Sequence, residues 1–180
     1  LKSLMRTGWH EAKLNIADFP VEFDNDYYFT FKVDEQVNIL QIYQDQPNQF
    51  IQASFADNDY FKATAQQVGQ LNYAAFAEYD LVILDELPSV PTGLISELKN
   101  YVSNAGNVVL FPHPEANVAD YNNLCKQFRA NTYTSFEEQE RKVSYVNFQE
   151  FIFNDVFEER RSNLKLPITS SNYKFSRKAS

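Results

Sequence analysis

Hydrophobic and polar positions alternate along the first part of the chain. Short stretches at 12–16, 21–23 and 27–33 are rich in aromatic and β-branched residues, which favour a pleated strand surface. Turn-forming residues at 24–26 separate the last two stretches. The pattern predicts a β appendage over residues 1–33, similar to the last hairpin of a β-sandwich.

After Asp34 the pattern changes to compact apolar runs. Runs at 37–43, 60–65, 80–85 and 107–111 have the length and near-continuous hydrophobicity of strands buried on both faces of a parallel sheet. We therefore predict four sheet strands in this part of the chain.

Helical spacing separates these runs. Phe50, Ile51 and Phe55 share one side of a predicted helix, and a second helix ends near Asn104, with Gly106 at the left-handed position after it. A third helix is predicted over Val118–Phe128 and buries Leu124, Cys125 and Phe128, and an edge strand is predicted over Val143–Phe148.

Alternating strands and helices of this length form parallel βαβ units with right-handed crossovers. The predicted fold class is α/β, with a doubly wound and mostly parallel sheet over residues 34–160. The N-terminal hairpin is predicted to be a remnant of a β-sandwich, and residues 161–180 to form an extended tail.

Three segments carry a resemblance to a known superfamily. The runs 79–87, 93–102 and 105–112 resemble the centre of the sheet in class I glutamine amidotransferase-like, flavodoxin-like proteins. The resemblance implies this fold but no particular activity, because one fold hosts many functions.

A second resemblance covers more of the chain. Residues 8–10, 18–20, 23–29, the strand after Asp34, and residues 147–148 and 152–157 are similar to BatA-type proteins, which carry an aerotolerance regulator domain at the N-terminus. This similarity implies a bacterial parent protein with transmembrane helices outside this chain. It also implies that this chain is the soluble, periplasmic part of a cell-envelope protein.

Composition narrows the possible partners. The formal net charge of −8 disfavours nucleic acid and anionic lipid as partners. No run of about 18 apolar residues is present, so a membrane is contacted only through segments absent from this chain. Only 4 glycines are present, and no G-x-G-x-x-G or G-x-x-x-x-G-K motif occurs, so we expect no nucleotide cofactor.

The position of the amidotransferase nucleophile is altered. In that superfamily a cysteine follows the strand that corresponds here to Val108–Phe111, but this chain continues Phe111-Pro112-His113. Proline has no N–H to offer an oxyanion hole. Cys125 is predicted to be a buried apolar residue, and no G-x-S-x-G motif suggests a serine hydrolase. We predict no catalytic residue and no metal.

Candidate ligand-binding residues remain at the strand ends. Ligands of open α/β sheets bind beyond the carboxyl ends of the strands. Five side chains fall there: Asp45, Asp85, Glu86, His113 and Glu115. Carboxylates with an imidazole could bind a metal or perform acid–base chemistry, but the same residues could equally cap turns or face solvent.

These features predict a non-catalytic interaction or scaffold domain. Its expected partners are neighbouring domains of the parent protein or other envelope proteins. One alternative is an enzyme or receptor that uses the acidic cleft to bind a small ligand or metal. A second is carbohydrate or peptidoglycan binding through exposed aromatics such as Trp9, Tyr27, Tyr60 and Tyr133.

Overall fold

A computed structural model describes residues 7–16, 25–33, 36–150, 153 and 166–176. The chain divides into two compact units. The first holds the described residues up to Leu87 together with Asn100–His113, and the second holds Pro88–Lys99 and the described residues from Pro114 onward. Among the described residues, no helix is long and apolar enough to cross a membrane.

The chain begins with an antiparallel hairpin. Strand β1 (Gly8–Asn15) pairs with β2 (Asp26–Val33), with Gly8 opposite Val33 and Asn15 opposite Asp26. The predicted hairpin is therefore present. The predicted stretch 21–23 lies outside the described residues, and the sandwich origin of the hairpin stays a prediction.

A four-stranded parallel sheet forms the centre of the first unit. Its strands are β3 (Val37–Tyr43), β4 (Phe61–Gln67), β5 (Leu81–Asp85) and β6 (Asn107–Phe111), in the order β4-β3-β5-β6. All four predicted strands are confirmed. The two central strands supply six apolar core residues with exposures of 3% or less: Ile39, Leu40, Ile42, Val82, Ile83 and Leu84.

Three α-helices lie between and after these strands: α1 (Gln49–Ala56), α2 (Thr92–Ser103) and α3 (Val118–Gln127). Asn48 caps α1 by accepting a hydrogen bond from the Phe50 N–H, and Asn117 caps α3 in the same way. Short 3₁₀ helices at Val68–Gln70 and Tyr73–Glu78 connect β4 to β5.

The end of α2 corrects one expectation. Gly106 was predicted at the left-handed position, but Ala105 takes it, with φ +66°. Gly106 is needed for another reason, because a Cβ there would overlap the ring of Tyr101. Tyr101 is buried and donates a hydrogen bond of 3.0 Å to the Tyr79 carbonyl. The glycine gives space to this aromatic ring.

The C-terminal strands differ from prediction. The edge strand expected over Val143–Phe148 is wrong, since these residues form no strand. Instead β7 (Tyr133–Glu137) pairs antiparallel with β10 (Asn172–Phe175). Two further short strands, β8 (Arg141–Lys142) and β9 (Ile168–Thr169), also pair. The described part of the predicted tail is thus extended, and its strands β9 and β10 pair with β8 and β7.

Aromatic packing forms the core of the second unit. The Tyr133 ring lies 5.8 Å from Tyr121, 5.1 Å from Tyr173 and 4.7 Å from Phe175, measured between centroids. Leu124 and Cys125 of α3 are buried as predicted, and Phe128 is half-buried. The strand β10 therefore contributes rings to this core.

Candidate functional site

Four of the five candidate residues lie in the first unit. Asp45 is exposed in the loop after β3, Asp85 ends β5, Glu86 follows it, and His113 is half-buried two residues after β6. Glu115 is exposed and belongs to the second unit. These positions beyond the strand ends agree with the sequence expectation, but their environments differ.

Asp85 is a buried carboxylate with two donors on one oxygen. Its exposure is 4%. Its Oδ2 accepts a hydrogen bond of 2.7 Å from the Gln41 side-chain amide and another of 2.8 Å from the Asn48 N–H. The Gln41 amide also donates to the Asn48 carbonyl at 3.3 Å. This triad of Gln41, Asp85 and Asn48 ties the ends of β3 and β5 to the start of α1.

The local sequence explains the triad. Gln41 pairs with Ile83, and side chains two residues apart in a strand share a face, so Gln41 and Asp85 point the same way. Asn48 is the cap of α1, which places its N–H at a helix start where backbone donors lack helical partners. A buried charge is tolerated when several hydrogen bonds satisfy it.

The sequence analysis did not identify Gln41 and Asn48 as site residues, although the local sequence marks each of them. Gln41 is the one long polar side chain inside the apolar run Ile39–Ile42. A polar residue in such a run needs a buried partner. Asn48 follows Pro47 and precedes a helical pattern, which is the usual setting of an N-cap.

Glu86 has an unusual backbone conformation. Its φ is +45°, in the left-handed region that costs an L-residue about 1–2 kcal/mol. Its N–H donates to the Phe111 carbonyl at 3.0 Å, which fixes the turn against β6. The carboxylate itself is exposed. Strained residues of this kind cluster at functional sites, so Glu86 is the candidate whose geometry points most toward binding.

The segment after β6, where the amidotransferase resemblance would place a nucleophile, carries neither a thiol nor a hydroxyl at residues 111–113. Phe111 ends β6 with 45% exposure, and Pro112 and His113 follow it. None of the three has a positive φ, so the strained elbow of hydrolytic enzymes is not formed there. Burial raises the pKa of the Cys125 thiol, which disfavours the reactive thiolate.

An open groove lies elsewhere in the first unit. It has a volume of about 370 Å³ and runs between α1 and β4. Phe55, Phe61, Ala63 and Ala65 supply apolar lining, and Gln41 reaches it from β3. None of the five candidate residues lines this groove. Its link to the triad is Gln41, whose amide also bonds Asp85.

The structure does not group the candidates into a metal site. In the part of the chain that is described, no cluster of three or more His, Cys, Asp or Glu side chains could hold a metal ion.

The aromatic candidates are also dispersed. Trp9 and Tyr27 are 74% and 65% exposed, but strand alternation places them on opposite faces of the hairpin. Tyr60 is 44% exposed beside β4, and Tyr133 is buried in the second unit. A common groove lined by Trp9 and Tyr27 is therefore not formed.

Comparison with known proteins gives a fold relationship. The sequence matches no protein-family model and no curated protein. A crystal structure from Bacteroides uniformis ATCC 8492, described as a ThuA-like protein, resembles the chain with a TM-score of 0.51 at 12% sequence identity. The similarity covers 81% of this chain and 63% of that one.

At this identity the likeness shows the fold alone. The chain is an α/β protein with a four-stranded parallel sheet and a glutamine amidotransferase-like fold. The fold prediction is confirmed to that extent. The similarity to BatA-type proteins stays a prediction.

Proposed function

We propose that this chain is a non-catalytic interaction domain of a membrane-anchored bacterial envelope protein, exposed to the periplasm. The non-catalytic part of this proposal rests on the hydrogen bonds that the Asp85 side chain accepts. Its buried Oδ2 already accepts two hydrogen bonds that hold β3, β5 and α1 together. A carboxylate in this setting positions the backbone.

The altered nucleophile position supports the same proposal. Phe111-Pro112-His113 offers neither a thiol nor a hydroxyl where amidotransferases carry their cysteine. The envelope location rests on the BatA-type similarity of the sequence. The doubly wound arrangement and the sandwich origin of the hairpin belong to this proposal too.

A thermal-shift panel tests the non-catalytic role. The chain is melted with divalent metals, nucleotides, flavins, amino acids and cell-wall sugars, because a ligand that binds only the folded state raises Tm. We expect no shift above the scatter of replicate melts. A reproducible rise with one ligand class, lost in Glu86→Gln and His113→Ala but kept in Asp45→Ala, would overturn the proposal.

Cell fractionation tests the location. An antibody raised against this chain should detect its parent in the membrane fraction of the source bacterium, released by detergent and retained in high salt. Protease added to spheroplasts should destroy the signal. A protected or freely soluble parent would contradict the periplasmic placement.

Glu86 favours a second candidate, a small-ligand receptor or enzyme at the strand ends. Its positive φ and exposed carboxylate are the supporting observations. Glu86→Gly should relieve the strain and raise Tm. If the glycine variant also loses a ligand-induced shift that the parent chain shows, the Glu86 side chain serves binding in spite of its strain, and this second candidate replaces the first.

A further inference from the structure

The outer strand β4 of the parallel sheet has one edge without a strand partner. In the part of the chain that is described, β4 pairs only with β3. In a parallel ladder, an edge strand turns the backbone groups of alternate residues away from its neighbour. The Val37 N–H donates to the Tyr60 carbonyl at 2.7 Å, so the even-numbered residues of this segment face β3. The odd-numbered residues, Ala63 and Ala65 among them, therefore face outward.

The outward backbone groups of Ala63 and Ala65 are unpaired. No other described residue donates to their outward carbonyls or accepts from their N–H groups. The Phe61 N–H differs, because it donates to the Asn58 carbonyl at 3.0 Å in the turn before the strand. The unpaired groups recur every second residue, roughly 6.6 Å apart. This is the spacing of the matching donors and acceptors on another extended strand.

The groove between α1 and β4 follows this free edge. Five consecutive residues of β4, Phe61–Ala65, line it. Successive side chains of a strand point to opposite faces, so a groove lined by all five runs along the backbone at the edge. On the side of α1, the small side chains of Ala63 and Ala65 leave space below the helix, and the buried Gln41 lines that space from the neighbouring strand. The groove can accept side chains of an added strand.

One end of the groove is acidic. Asp59 lines the groove just before β4 and is exposed, and no described Lys or Arg pairs with its carboxylate. Helix α1 ends nearby in sequence at Ala56, without a basic residue in its last turn. The C-terminus of a helix carries a partial negative charge. Lys62 also lines the groove, but strand alternation points it away from the face where Phe61 meets Phe55 of α1.

We propose that the β4 edge and this groove bind an extended segment of a partner protein, which adds to the sheet as a strand beside β4. The backbone of the segment bonds Ala63 and Ala65, and its alternate apolar side chains enter the groove below α1. One basic side chain of the segment lies beside Asp59. The inference rests on the proposed interaction function and names the surface and the class of partner.

A second copy of this chain fits the edge less well. Pairing of two β4 edges brings together two chains of net charge −8. A basic segment is attracted by the same charge, and it also meets the acidic end of the groove.

Selection from a phage-displayed library of random twelve-residue peptides tests the inference, with the immobilised whole chain as bait. The strongest binder is synthesised with a fluorescent label, and its Kd is measured by fluorescence polarisation. We expect selected peptides to alternate apolar residues with polar ones and to carry a lysine or arginine.

Ala63→Pro tests whether the peptide binds at the edge. Proline removes the outward N–H, and edge strands tolerate it because the pairing with β3 does not use that group. Circular dichroism and Tm check the fold of the variant. We expect its affinity for the peptide to be weaker by about tenfold or more, since a backbone hydrogen bond is lost and the approach is blocked.

Two N-methylated forms of the peptide test the strand pairing without changing the protein. One form is methylated at its odd-numbered positions and the other at its even-numbered positions, so each blocks the N–H groups on one edge of the added strand. We expect one form to lose binding and the other to keep it, because a strand pairs through alternate residues. Loss in both forms, or in neither, overturns the inference.

A matched pair of variants tests the charge. Asp59→Asn and Asp57→Asn each remove one carboxylate from neighbouring exposed positions, but only Asp59 lines the groove. We expect Asp59→Asn to weaken binding by about threefold and Asp57→Asn to leave it unchanged. Equal effects of the two variants contradict the placement of the basic side chain.

Three further outcomes overturn the inference: a library that yields no binder, a peptide that Ala63→Pro binds as tightly as the parent, or a parent dimer that Ala63→Pro abolishes. Each of them leaves the interaction function in place with a different surface. A Tm shift with one of the small ligands instead removes the non-catalytic role, whatever the peptide measurements show.

Discussion

Among single residues, Asp85 combines a position typical of ligand binding with contacts typical of a structural residue. It lies at the carboxyl end of a central strand, where open α/β sheets bind ligands. Its side chain, however, is buried and accepts bonds from Gln41 and Asn48. The stability of variants separates the two roles, since a structural carboxylate stabilises the fold and a binding carboxylate commonly does not.

We expect Asp85→Ala to lower the free energy of unfolding by about 3 kcal/mol, because it leaves two buried donors without an acceptor. Asp85→Asn, which keeps one oxygen, should cost less. Urea denaturation measures both, with the exposed Asp45→Ala as a control that should stay within about 0.5 kcal/mol of the parent. An Asp85→Ala variant as stable as the parent, or more stable, would contradict the structural role.

Tyr133 gives a prediction for alkaline pH. Burial, with smaller contributions from Cys125 and Tyr173, raises the pKa of its hydroxyl to about 12. In the unfolded chain the same hydroxyl ionises near pH 10, so between about pH 10 and 12 the folded state holds the proton more tightly. The contribution of Tyr133 to the free energy of unfolding should therefore be constant below about pH 10 and fall as pH rises toward 12.

At pH 11 this loss should amount to about 1 kcal/mol. Urea midpoints at pH 9 and 11 measure it, and Tyr133→Phe should remove that part of the decrease, because phenylalanine has no proton to lose. An unchanged decrease in the phenylalanine variant would show that other groups, such as Tyr101 or Cys125, account for the alkaline loss. Burial raises the pKa of both.

Among the structural elements, β10 contributes more to the packing of the second unit than its sequence indicated. Tyr173 packs against Tyr133 and Phe136, accepts a hydrogen bond from the Ala116 N–H at 3.2 Å and donates one to the Pro114 carbonyl at 2.9 Å. A single side chain thus links β10, β7 and the segment before α3.

Tyr173→Ala should therefore lower the free energy of unfolding by about 3 kcal/mol, through lost ring packing and two lost hydrogen bonds. The adjacent Lys174→Ala is the control. It removes an exposed ion pair of 2.5 Å with Glu137, which should change stability by at most about 1 kcal/mol. Equal effects of the two variants would indicate that β10 is a peripheral strand.

The contrast between β3–β6 and β7–β10 shows what the sequence could predict. The four parallel strands were found because each contains a short apolar run; β3 and β5 are largely buried, whereas β4 and β6 are partly exposed. β7 and β10 are short and partly exposed, and their partners lie more than 30 residues apart, so no local pattern marks them. The residues Val143–Phe148 alternate like a strand but form none; their backbone donors include the Val143 N–H, bonded to the Pro167 carbonyl, and the Phe148 N–H, bonded to the Val146 carbonyl.

The candidate site, too, could be predicted only in part from the sequence. The strand-end rule located Asp85 and Glu86, because it depends only on where an apolar run stops. The partners of Asp85 depend on strand register and helix capping, which bring Gln41 and Asn48 to it from 44 and 37 residues away. Likewise, the backbone strain at Glu86 arises from a turn that the residue types do not specify.

For the whole molecule, the net charge of −8 opposes association with other anionic molecules through long-range repulsion. Salt weakens this repulsion, because it shortens the range of charge interactions to about 4 Å at 0.5 M. A partner of the proposed interaction domain is therefore expected to present a neutral or basic surface to it.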